Sequence, residues 1–79
     1  MYNAYLPRGG YAVTPNDTTE LGPPIAMGLY IGSAGSLAII TEDGTALTYA
    51  LVPSGTFFSM RIKRVLATGT TASAIIAHY

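Results

Sequence analysis

The sequence predicts an all-β domain: a small antiparallel sandwich or barrel of about five to six short strands, preceded by an irregular, proline-rich N-terminal arm. Three observations carry that prediction. From residue 25 onward, short runs rich in Ile, Leu, Thr, Tyr and Phe alternate with turns containing Gly and Pro, the pattern of sandwiches and barrels. No 11-residue window holds an apolar period of 3.6, so no amphipathic helix is expected. Four of the five prolines (Pro7, Pro15, Pro23, Pro24) fall in the first 24 residues, where missing ladder donors argue against a continuous sheet. The chain therefore divides into an arm over residues 1–24 and a β domain over residues 25–79.

Within the arm, residues 10–14 are the one candidate strand. "NDTTE" (residues 16–20) fits either a single helical turn or an irregular loop. The helical turn would be capped by Asn16 or Asp17, with Glu20 at the third position after Asp17. The β domain opens with a strand over residues 27–31. "GSAG" (32–35) reads as a tight turn and residues 36–41 as the second strand. "EDG" (42–44) is a hairpin loop with glycine where a positive φ is needed. The third strand covers residues 45–52, "PSG" (53–55) turns the chain, and residues 56–68 form the fourth and longest strand. After the loop "TGTTAS", residues 74–79 close the chain.

Residues 21–41 carry no charge, a run long enough to cross a bilayer. Pro23, Pro24, four glycines, Ser33 and Ser36 break it, so it reads as two buried strands rather than a span. The stretch "MYNAYLPRGG" has no apolar segment behind a basic one, so no secretory signal is expected.

Half of the 79 residues are hydrophobic (49%), 10% are charged, and the net charge is zero. Typical soluble domains are about 25% charged. A surface this poor in charge either exposes apolar groups or hides them against a partner. It also has no positive field to gather phosphates, which argues against nucleic-acid binding. A chain of this length buries only about 60–65% of its unfolded surface. There is no cysteine for a disulfide, and one histidine without cysteine argues against structural zinc. Oligomerisation is the remaining way to gain stability, and a closed homo-oligomer, trimeric or pentameric, is expected.

No catalytic constellation is visible. His78 is the lone histidine, near the C-terminus. The four acids (Asp17, Glu20, Glu42, Asp43) sit beside turn residues, and Ser54 and Ser59 have no identifiable base. "GSAGS" lacks the lysine and helix of a phosphate loop. The protein is expected not to be an enzyme and to hold no cofactor or metal. Its six tyrosines fit either a sugar site or residues that are half core and half interface.

Three of the four basic residues, Arg61, Lys63 and Arg64, lie within four positions of one predicted strand. Strand alternation puts Phe58, Met60, Ile62, Arg64 and Leu66 on one face and Phe57, Ser59, Arg61, Lys63 and Val65 on the other. Arg64 interrupts the apolar face, so a bulge or the rim of the core is expected there. Two readings remain open. One is a solvated strand whose charges prevent edge-to-edge aggregation. The other is a subunit contact in which these bases meet Asp17, Glu20, Glu42 or Asp43 of a neighbour, a heterologous arrangement that closes into rings. The candidate interface residues are Arg61, Lys63, Arg64, Asp17, Glu20, Tyr11 and Tyr30.

Three stretches also carry a family likeness: "VTPNDTTEL" (13–21), "LYIGSAGSLAIITEDGT" (29–45) and "VPSGTFFSMRIKRVLATGTTASAIIAHY" (52–79). Their most specific part is the order Val52-Pro53-Ser54-Gly55-Thr56, then Arg64-Val65-Leu66-Ala67-Thr68-Gly69-Thr70-Thr71, then a short apolar C-terminal strand. Together they resemble the small spike-base and head decoration proteins of tailed bacteriophages and phage-like gene transfer agents. The resemblance covers nearly the whole chain after Tyr11. It implies a virion protein that oligomerises on the capsid exterior as a spike base, decoration or cement subunit. The implied partners are copies of itself, the major capsid protein and a head spike or fibre, with no nucleic acid and no membrane. "MYNAYLPRGG" is outside the pattern. The rival classes are a small carbohydrate-binding β module, suggested by the tyrosines, and a membrane-active phage protein, suggested by the uncharged run.

Overall fold

Alternating apolar residues build two antiparallel sheets in the computed structural model, which describes residues 8–22 and 24–79. Seven strands are present among the described residues: β1 (Gly10–Ala12), β2 (Gly28–Ser33), β3 (Gly35–Thr41), β4 (Ala46–Val52), β5 (Thr56–Phe58), β6 (Ile62–Val65) and β7 (Ser73–His78). One sheet runs β1-β7-β2-β5 and the other β4-β3-β6. No helix among the described residues is long and apolar enough to cross a membrane. The uncharged run of residues 21–41 instead supplies β2 and β3. The part of the arm over residues 1–7, with Tyr2 and Tyr5, lies outside the described residues, as does Pro23.

Each sheet sends alternate side chains inward. Leu29 and Ile31 of β2 and Ile75 and Ala77 of β7 meet Leu37 and Ile39 of β3, Val52 of β4, and Ile62 and Val65 of β6 in one buried cluster. Each large aliphatic side chain so buried contributes about 1.5–3 kcal/mol.

Seven strands stand where five to six were expected, and the additional one comes from a single split. The long strand expected over residues 56–68 is two strands in different sheets. Residues 59–61 leave the ladder, where Met60 N donates to Met27 O (3.1 Å) and Ile62 N to Ala26 O (3.0 Å). These bonds carry the chain around a corner from β5, beside β2, to β6, beside β3. The arm's candidate strand is present as β1, paired to β7 with Tyr11 opposite Ala77. "GSAG" is likewise not a tight turn. Only Ala34 separates β2 from β3, and the chain passes there from one sheet to the other. In contrast, "EDG" closes the β3–β4 hairpin, with Gly44 N donating to Thr41 O (2.9 Å).

Two register shifts decide which residues face out. Ile40 pairs with Arg64 but Thr41 pairs with Ile62, so Lys63 is an extra residue on β6. The bulge lies beside Arg64. It lets Ile62 and Val65, three residues apart, both turn inward, and so the expected core face of Ile62, Arg64 and Leu66 is replaced by Ile62 and Val65. On β4, Gly35 pairs with Val52 and Leu37 with Tyr49, which leaves an extra residue between them. Leu51 there takes φ 58° and is 88% exposed.

Candidate subunit interface

Residues 13–21 run as a strap from β7 to β6. Val13 N donates to Ile75 O (2.9 Å), Asn16 N to Val65 O (2.8 Å) and Leu21 N to Lys63 O (2.7 Å). The "NDTTE" segment is a loop, not a helical turn. The Asn16 side-chain oxygen accepts from Thr18 N (2.8 Å) and Thr19 N (3.0 Å), a local alternative to helical pairing.

The strap brings acids onto the basic strand. Glu20 Oε2 lies 3.1 Å from Arg64 Nη2 and 3.7 Å from Lys63 Nζ. Arg64 Nη1 donates to Asp17 O (3.3 Å), while its buried Nε has no partner among the described residues. Arg61 faces Glu42 at 3.7 Å, both largely exposed. The bases and acids expected to meet between subunits are thus paired within one chain. Because Glu20, Glu42 and Arg61 are more than half exposed, each of these pairs contributes only about 0–1 kcal/mol.

Asp17 is held differently. Its carboxylate accepts from Thr68 Oγ1 (2.6 Å) and Thr68 N (2.9 Å), clipping the strap to the turn after β6. Those bonds, the hydroxyl's first, lower its pKa, as the bonds from Thr41 and then Thr45 do for Asp43. A folded-state pKa below the unfolded value means stability that is present above about pH 4 and lost as pH falls through the folded pKa. The melting temperature is therefore expected to fall on acidification from about pH 5 to pH 3. Asp17→Asn should flatten part of that fall, and identical acid profiles for the two proteins would contradict the clip.

Tyr11 stacks near Tyr79 (centroids 5.9 Å), and its hydroxyl donates to Pro24 O (2.8 Å). Burial, and then the neighbouring Tyr79, raise its pKa. Tyr30 is on the far side of the molecule from the core, opposite Phe57 on the outer face of β2 and β5. The structure thus gathers Asp17, Glu20, Lys63 and Arg64 into one cluster. Arg61, Tyr11 and Tyr30 stand elsewhere.

Several exposed apolar residues were not singled out from the sequence: Met27, Leu47, Leu51 and Phe57. The signal available was charge, since residues 45–60 carry none. That run becomes β4 and β5, each at the edge of its sheet. Edge strands without charge are templates for pairing with another chain.

A shallow hollow of about 440 Å³ opens at the β3–β4 turn, lined by Thr41, Glu42, Asp43, Leu47, Met60 and Arg61 among others. No aromatic ring lines it, and its charged groups are already engaged, Glu42 with Arg61 and Asp43 with Thr41 and Thr45. The described tyrosines are spread out instead: Tyr11 with Tyr79, Tyr49 with Phe58 (5.0 Å), and Tyr30 on the outer face.

No protein-family model and no curated protein matches the chain. Among solved structures, it is similar to a chain in the capsid of a native GTA particle, a reconstruction computed with C5 symmetry. The two superpose with a TM-score of 0.82 at 32% identity, over 94% of this chain and 84% of that one.

Proposed function

Since the chain belongs to the family of that capsid component of a phage-like gene transfer agent, we propose that it is a homo-oligomeric head subunit, seated on the capsid exterior as a spike base, decoration or cement protein. The similarity along nearly the full chain to a protein of a GTA capsid is the observation that carries this reading. The surface supports it. Leu51 stands almost fully in solvent, and Tyr30, Phe57, Leu47 and Met27 are also exposed on a molecule whose edge strands β4 and β5 are uncharged. Tyr30 and Phe57, paired across β2 and β5, put adjoining apolar surface on one outer face, which suits a contact. The described tyrosines are scattered, which argues against a sugar site that needs aromatic rings converging on one hollow.

In this reading the partners are further copies, as a trimer or pentamer, the major capsid protein beneath, and a spike or fibre above. Native mass spectrometry of the purified full-length chain tests the first of these. A closed oligomer of fixed size is expected at micromolar concentration. A folded monomer under those conditions would contradict it.

A further inference from the structure

We infer that the N-terminal strap is exchanged between subunits, so that residues 10–21 of one copy seat on β6 and β7 of the next. The inference rests on the oligomeric reading above and names its contact. Three observations carry it. The first is charge complementarity. The strap holds Asp17 and Glu20, two of the four acids, and its seat holds Lys63 and Arg64, two of the four bases. The second is that the strap's bonds to its seat run through groups that a neighbour would present equally well: the β1–β7 ladder, Val65 O, Lys63 O and the Thr68 clip to Asp17. Nothing in those contacts depends on whose chain supplies the strap.

The third observation is the hinge. To fold back onto its own β6, the chain turns at Gly22 with φ 104°, a conformation that side chains with a Cβ resist. A Cβ there would lie 2.7 Å from the Pro24 carbonyl carbon and 2.8 Å from its oxygen. The next residues, Pro23 and Pro24, favour extended backbone in themselves and in the residue before each. Glycine takes either hand of φ without strain, so the Gly22 hinge can also extend, and the prolines after it favour the extended form that carries the strap away from its own body. Exchange of an identical element is a low-cost route from monomers to oligomers. Among the described residues, the strap bonds to the hinge through the Tyr11 hydroxyl, which donates to Pro24 O.

The test uses the absence of native cysteine. Ala12 and Ile76 are directly opposed on β1 and β7, so the full-length double variant Ala12→Cys, Ile76→Cys places two thiols within bonding reach. Oxidised in the assembled state and run on a denaturing, non-reducing gel, it is expected to give a covalent ladder up to the oligomer's size. Adding Gly22→Ala should raise the ratio of interchain to intrachain cross-link about fivefold, since a positive φ penalises only the folded-back hinge. Cross-linked monomers alone, recovered from particles of oligomeric native mass, would overturn the exchange and leave the oligomeric reading standing. A monomeric native mass of the wild-type chain would overturn both.

If the cysteine pair does not fold, charge reversal reads the same point. Glu20→Arg and Arg64→Glu chains each face a like charge at home, and in an exchanged assembly each offers the other a complementary seat. Mixing the two should restore assembly roughly fivefold over either chain alone, the factor an exposed ion pair sets. Absence of any restoration by mixing would overturn the inference.

Discussion

Gly35→Val is expected to leave the chain largely unfolded or aggregated. Gly35 opens β3 immediately after the single-residue crossover at Ala34, where the backbone passes against the segment before β7. A Cβ there would fall 2.7 Å from the Thr71 carbonyl carbon and 2.7 Å from its Oγ1. Neither group is free to yield. Thr71 N and Ala72 N both donate to Ser36 O (3.0 Å each), and Thr71 Oγ1 accepts from Ser36 N (2.9 Å). The clash is with backbone that both sheets hold in place, so the loss should reach the upper end of overpacking costs, about 3 kcal/mol or more. A domain of this size has only about 4–12 kcal/mol in total. Circular dichroism during thermal melting checks the result, and a melt within a few degrees of wild type would contradict this account of the crossover.

Ile62→Ala is the second large effect. Ile62 is fully buried, bridges to Ala26, and faces the core on the strand whose neighbours Lys63 and Arg64 face the strap. Its truncation removes apolar contact on both sheets and leaves a cavity, a cost of about 2–5 kcal/mol. For a chain of this length that lowers the melting temperature by roughly 10 to 30 °C. Lys63→Ala, one residue along but on the strap side, should cost less than about 1 kcal/mol, a shift of only a few degrees, because the pair it breaks is partly solvated. The same melting experiment separates the two sites, and equal shifts would mean that β6 is not divided between core and strap as described.

The hairpin of β3 and β4 was readable because its signals are local: apolar strands either side of "EDG", with a glycine where the loop needs one. The end of β5 was not, since "TFFSMRIKRV" has no Gly or Pro and continues the alternation across the corner. What breaks the strand there is tertiary, the bonds from Met60 and Ile62 back to Met27 and Ala26. The same is true of "GSAG". Turn composition announces a change of direction but not whether the next strand stays in the same sheet.

The basic cluster was readable as a cluster, and the interruption at Arg64 pointed to the bulge beside it. Its acids were not assignable, because Glu20 reaches Arg64 across 44 residues of sequence and the strap that brings it carries no strand pattern. Leu51 shows the limit of alternation most clearly. A single extra residue on β4, between Tyr49 and Val52, leaves Leu51 in solvent while Val52 turns into the core. A register shift of this kind is set by the partner strand, which no local window contains.

Immunogold electron microscopy on intact particles purified from the producing cells tests the central claim most directly, with antibody raised against the full-length chain. Gold decorating the outer surface of unbroken heads is the predicted result. Particles that carry no label, intact or after disruption, would contradict a role for this chain in the capsid.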